Sequence, residues 1–273
     1  MKTNRGLDRA TIAGAAIAVT GIVAGVRLEG LSLYDVAQPT AALVVFLGTA
    51  GAAMLSVPSS QISHALHVFR TMFFDSSEDP RHLVARFLIW SRTARAGGVA
   101  SLEKETERID DPVLRKGMGL VTDAVGEAGI RSVMALEIRG IETEAEAAAQ
   151  FYETAAGYAP TLGIVGAAIG LIQVMKHLDR IEQVGGGIAA AFVATIYGVL
   201  LANLILLPVA TRIRTQCQHR IRTCHVITEG LLSLAGGLNP RLLRMNLETL
   251  LQVPETDEPA GRITLPAPLA QKG

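Results

Sequence analysis

The sequence predicts an all-α membrane protein with four transmembrane helices and a helical cytoplasmic domain inserted between the second and third, both termini being cytoplasmic. Three observations carry this. The hydrophobic residues collect in four uncharged windows, residues 10–26, 36–63, 154–175 and 183–211, and a helix crosses a bilayer with about 20 apolar residues. Mean hydropathy is +0.35 with only 18% charged residues, a balance unlike that of a soluble domain of this length. Finally, no stretch alternates apolar and polar residues with the period of a strand.

Positive charge orients the spans. Lys2, Arg5 and Arg9 precede the first window, and Arg212, Arg214, Arg220 and Arg222 follow the fourth, whereas the links 27–35 and 176–182 are short and nearly neutral. Both termini and the segment 58–153 are therefore expected on the cytoplasmic side. The first window follows a basic amino terminus, as a signal peptide would. However, a second apolar window comes soon after and no small-residue cleavage site leads into a polar domain, so it reads as a retained span.

The first transmembrane pair occupies residues 1–57. It holds no ionisable group within its apolar windows, only small residues (Gly14, Gly21, Gly25, Gly48, Gly51) that allow close helix contact, and it reads as lipid-facing support. Residues 58–153 then form an amphipathic helical domain. A helix starts near Pro80, with Leu83, Phe87 and Trp90 at helical spacing, and breaks at Gly97–Gly98. A second helix is expected over 100–109. Asp111 before Pro112 reads as an N-cap followed by proline at the first helical position. Beyond it, Ile130, Met134, Ile138, Ile141 and Ala145 form one stripe of a long helix with no breaker before Gly157, which should run into the third span.

Residues 154–211 make a transmembrane hairpin. Gly163, Gly166, Ala167 and Gly170 share a face of its first arm; Gly187, Ala191, Ala194, Gly198 and Ala202 share a face of its second, with Thr195 on that stripe. Small residues let helix backbones approach closely in lipid. Two readings stand: the arms pack on each other, or part of this surface receives another helix. Pro160 and Pro208 each remove a backbone hydrogen bond within a span, as a packing kink or as a hinge. Residues 212–253 continue as tail helices interrupted by Gly236–Pro240, and residues 254–273 have the composition of a disordered end.

The chemistry is notable for what is missing. There is no nucleophile–base pair, no phosphate-binding glycine loop and no basic patch fit for nucleic acid, so neither an enzyme nor a nucleic-acid-binding protein is expected. Cys217 and Cys224, with His219 and His225 nearby, lack metal-ligand spacing, and no metal or other cofactor is implied. Proton carriage through a bilayer needs a titratable group at depth, and the four windows contain none. If this chain uses an ion gradient, the carboxylate comes from a partner helix.

The hairpin blocks 157–171 (GYAPTLGIVGAAIGL) and 187–210 (GIAAAFVATIYGVLLANLILLPVA), the segment 94–103 (ARAGGVASLE) and the tail 237–251 (GLNPRLLRMNLETLL) together resemble the MotA/TolQ/ExbB proton-channel family, and within it the flagellar stator (MotA) branch. The resemblance spans nearly the whole chain. It implies a multi-pass protein of the bacterial inner membrane with proton-driven, torque-generating function. The implied partner is a MotB-type single-span subunit carrying a membrane aspartate, in a pentamer of this chain around a partner dimer. Arg95 and Glu103 match the family's rotor-facing pair and would meet the rotor protein FliG. Pro160 and Pro208 match its two span prolines, as elements of the ion path or conformational switch. Gly163, Gly166, Gly170, Ala191, Ala194 and Gly198 would line the partner contact. Sodium-driven relatives tend to carry Thr where this chain has Ala167, while Thr195 is present; the expected coupling ion is therefore H+ rather than Na+. A TolQ/ExbB-like energiser of another envelope process and a purely structural four-span scaffold are the alternatives.

Overall fold

The computed structural model describes residues 9–72, 80–179 and 181–252. The basic residues before Arg9, residues 73–79 and the tail 254–273 lie outside them. The described residues are helical throughout, with no strand. The elements are α1 (Arg9–Leu28), α2 (Leu33–Val36), α3 (Pro39–Leu55), α4 (Ser59–Met72), α5 (Pro80–Gly97), a 3-10 turn (Val99–Leu102), α6 (Glu103–Thr106), α7 (Pro112–Thr122), α8 (Glu127–Lys176), α9 (Ile181–Leu200), a π turn (Leu201–Leu206), α10 (Leu207–Ala235) and α11 (Pro240–Gln252).

Two helices dominate. The 50-residue α8 and the continuous 52-residue helix from Val184 to Ala235 are long and apolar enough to cross a membrane, whereas the apolar helices at Ala13–Leu28 and Pro39–Leu55 are shorter. At 1.5 Å rise per residue, each long helix extends well beyond the roughly 30 Å of hydrocarbon it could span. The apolar third and fourth windows are thus the upper parts of two rods whose lower parts are charged. The expected unbroken run of helix into the third window is present.

α1 and α3 differ in what they touch. α3 buries Ala41, Val45, Thr49 and Ala53 along one face and packs on both α8 and α9, whereas α1 has no substantial contact with another element. A Cβ added at Gly14, Gly21 or Gly25 would meet nothing within 4 Å, while one at Gly48 would lie 2.7 Å from Leu162 Cδ1. Tyr197 ties the start of α3 to α9: its hydroxyl donates to the Val36 carbonyl at 2.6 Å and accepts from the Gln38 N–H at 3.2 Å.

The lower parts of the rods carry the main core. Leu83, Phe87 and Trp90 of α5 are buried with Leu114 and Met118 of α7, Ile130 and Met134 of α8, Ile227 and Leu231 of α10, and Leu243 and Leu247 of α11. The segments on either side of the hairpin therefore share one core. The Phe87 ring lies flat against Gly230, where an added Cβ would come within 2.6–2.7 Å of three ring atoms.

Local signals are met at two points and overridden at one. Gly98 adopts φ 78° and ends α5. Asp111 caps α7, its Oδ1 accepting from the N–H groups of Val113 (2.9 Å) and Leu114 (3.0 Å). The helix expected over 100–109 is instead a 3-10 turn followed by the single turn of α6. Leu102 and Ile109 at its two ends are both fully buried, and drawing both into the core bends the chain away from a straight helix. Similarly, α7 and α8 are separated by a turn in which Ala124 takes φ 55°.

Candidate functional site

The apolar hairpin closes as a backbone seam. An added Cβ at Gly163 would be 3.0 Å from the Ala194 carbonyl oxygen and 3.4 Å from Gly198 Cα; at Gly170, 3.0 Å from the Ala191 nitrogen; at Gly198, 2.5 Å from the Ala159 oxygen and 3.1 Å from Pro160 Cα. Gly166 faces the Ala194 methyl, at 2.8 Å by the same construction. Gly163, Gly166, Gly170, Ala191, Ala194 and Gly198 are all buried. Of the two readings of the small-residue faces, packing of the arms on each other is what these positions show within the chain. Large apolar side chains (Ile164, Ile169, Ile172, Phe192, Ile196) occupy the exposed faces of the same helices.

The proline sites differ. Pro160 lies half-buried inside α8, which runs through it without interruption; the missing N–H leaves the carbonyl of Ala156 without its usual donor. Gly198 is seated against this turn. Pro208 is exposed at the start of α10, directly after the π turn Leu201–Leu206. A proline ring clashes with the carbonyl four residues back, here Leu204, and the wider π turn gives it room. The sequence flagged Pro208 but gave no sign of the π turn. Thr195 is half-buried, its Oγ1 donating to the Ala191 carbonyl at 3.3 Å, and Ala167 is half-buried on α8. Thr49, only 3% exposed, has an Oγ1 without a hydrogen-bond partner, a polar position that hydropathy does not mark within α3.

Arg95 and Glu103 flank the 3-10 turn at the far end of the charged unit, Arg95 in the last turn of α5 and Glu103 as the first residue of α6. Both are exposed. The Arg95 guanidinium reaches the Gly237 carbonyl at 3.4 Å and borders a cleft of about 250 Å³ shared with Ser91, Val99 and Leu238. The structure thus brings two sequence neighbourhoods, α5 and the α10–α11 turn, to one tip. Ser101 Oγ donates to the Gly98 carbonyl at 2.6 Å and fixes the loop.

Between hairpin and tip, two arginines of α10 pair across helices. Arg214 forks onto Glu146 and Glu153 of α8; Arg220 grips Asp111 at 2.5 and 3.0 Å. Burial would raise the Asp111 carboxyl, but hydrogen bonds from Arg220 and the Leu114 and Val113 N–H groups outweigh it and hold the group below its ordinary 3.8. The Arg214 hydrogen bonds likewise hold Glu146 and Glu153 below the usual carboxylate range. Spacing alone did not reveal these pairs, since the partners are 61 to 109 residues apart. Cys217 and Cys224 are free thiols, each pushed up by burial. Among the described residues no three His, Cys, Asp or Glu side chains gather as a metal site.

Residues 105–225 match the model of the MotA/TolQ/ExbB proton channel family. Motility protein A of Bacillus subtilis (strain 168) is 31% identical over 252 residues, covering 92% of this chain and 93% of that protein. The structure of C. jejuni MotAB aligns at a TM-score of 0.84 and 28% identity over 92% of this chain and 98% of its own. The flagellar MotAB stator complex from Bacillus subtilis aligns at 0.82 and 31% identity over 88% and 94%.

Proposed function

The chain belongs to the MotA/TolQ/ExbB proton channel family, and on that footing we propose how it works as a stator subunit of the bacterial flagellar motor. It is a membrane-embedded, non-enzymatic part of an ion channel complex, and its partner is a MotB-type subunit, as in the MotAB assemblies it resembles.

One observation carries the mechanism. The α8–α9 seam is closed backbone to backbone and its apolar stretch holds no carboxylate or imidazole. The ion-carrying group is therefore supplied by the partner, as an aspartate on its single membrane helix. Four spans, α1, α3 and the apolar parts of α8 and α9–α10, lie in the bacterial inner membrane with both termini and the charged unit cytoplasmic. Copies of this chain, five around two partner helices, present their seams inward. Proton transfer to and from the partner aspartate is then read as small rotations at Pro160 and at the π turn before Pro208. Because the seam resists separation, those rotations pass down the two rods to the tip, where Arg95 and Glu103 engage FliG. The methyl of Ala167 gives no oxygen to replace the water around a sodium ion, which supports protons as the coupling ion.

The test is charge reversal in a strain whose only stator is this one. Arg95→Glu and Glu103→Lys should each impair swimming with membrane abundance unchanged. Normal swimming in both variants would overturn the rotor assignment, and swimming speed that follows sodium at constant proton gradient would overturn the ion.

A further inference from the structure

The side-chain cluster that best repays study outside the seam and the tip is the one around Arg214. Glu153 lies about two turns below Pro160 on α8, and Arg214 about two turns below Pro208 on α10, so the cluster sits just beneath both helix irregularities and above the main core. Nε and Nη2 of Arg214 donate to the two oxygens of Glu146 at 2.9 and 2.6 Å, while Nη2 also donates to Glu153 Oε2 at 2.9 Å and Nη1 to Glu153 Oε1. Glu146 and Glu153 are seven residues apart, hence on one face of α8 and displaced along its axis.

We propose that Arg214 is a positioning residue for torque transmission, locking α10 to α8 against sliding so that motion at the two prolines reaches the rotor tip without slack. This rests on the stator reading. The apolar cluster at this level joins Ala148, Ala149 and Tyr152 of α8, Val209, Ala210 and Ile213 of α10 and Ala65 of α4, and four of these seven are alanines. Such a contact resists separation but offers little to stop one helix gliding along the other. A guanidinium held between two carboxylates at different heights supplies that resistance, because a slide in either direction lengthens one set of bonds. Lysine, a point charge on a flexible stem, cannot hold both in a fixed fork. The side chains are 34–54% exposed, and surface pairs add little to folding stability; the core below and the seam above already fix the fold. The role left for the cluster is mechanical.

The experiment compares torque–speed curves of single motors in a strain carrying this chain alone, as wild type, as Arg214→Lys, and as the Glu146→Gln/Glu153→Gln double variant. Both variants should lose about twofold or more of their torque per stator at high load, keep wild-type speed near zero load, and retain normal membrane abundance and stator number. A uniform fall at all loads, wild-type torque in both variants, or loss of both chains from the membrane would overturn the proposal. Failure of the wild-type chain itself to drive rotation would instead sink the stator reading on which it stands.

Discussion

Replacing Gly198 by alanine is the most direct test of the seam. The new methyl would stand 2.5 Å from the Ala159 oxygen, 3.1 Å from Pro160 Cα and 3.2 Å from the Ala159 carbonyl carbon. All three are backbone atoms of α8, so no side chain can turn aside. An ordinary carbon–oxygen contact is about 3.3 Å, and the helices must therefore part locally by about 0.8 Å. A gap of that size forfeits a quarter to a half of each dispersion contact it opens, and overpacking of this kind costs about 1–3 kcal/mol. Thermal unfolding of the purified complex should drop by roughly 2–12 °C, at about 2–4 °C per kcal/mol. Swimming should fall too, since the clash lies on the Pro160 turn. The control is Gly140→Ala, where nothing lies within 4 Å and helix propensity alone should give a gain of up to about 1 kcal/mol. If Gly198→Ala melts and swims like wild type, the seam is looser than described and the reasoning fails.

Other perturbations probe separate parts. Pro208→Leu restores an N–H that can bond the Leu204 carbonyl and removes the need for the π turn; the helix should gain about 1–3 kcal/mol locally while swimming is lost at normal abundance, as motility and immunoblots would show. Asp111→Ala removes the α7 cap and strands Arg220, and should cost about 2–4 kcal/mol in denaturant unfolding, whereas Asp111→Asn keeps the cap and should cost clearly less. Because the folded Asp111 carboxyl lies below 3.8, this pair contributes fully above that pH and is lost only as pH falls through the folded value; melting scans should show no effect of Asp111→Asn on the slope between pH 5 and 8. His225 acts in the same direction at higher pH. Burial holds its imidazole below the ordinary 6.5 despite the pull of Glu229, so its contribution is complete above pH 6.5 and declines as pH falls below it. His225→Gln should flatten the melting curve's dependence on pH between 5 and 6.5.

The long periodic features were legible in the chain because their signals are local. Four apolar windows, the stripe from Ile130 to Ala145, the Asp111 cap and the Gly98 break each depend on residues within a few turns of one another, and helix geometry converts that spacing directly into a face or an end. The missing carboxylate could also be read without coordinates, since a bilayer-spanning segment either contains a titratable group or does not. The matching of blocks to a known family singled out Arg95 and Glu103, which as isolated surface charges carry no mark of the rotor contact proposed for them.

What the chain in one dimension left open was which surfaces meet. Glycine and alanine faces fit a partner helix or each other equally well by composition; only the placement of Gly198 on the Ala159–Pro160 backbone shows that the arms fill one another's grooves. The helix expected at 100–109 yielded because Leu102 and Ile109 both had to enter a core completed by α10 and α11, more than 100 residues away. The grip of Arg214 on Glu146 and Glu153 arises from a contact between α8 and α10 that no window of sequence contains. Local spacing fixes where helices run. Packing over long separations decides which of them are joined, and with that how force can travel along them.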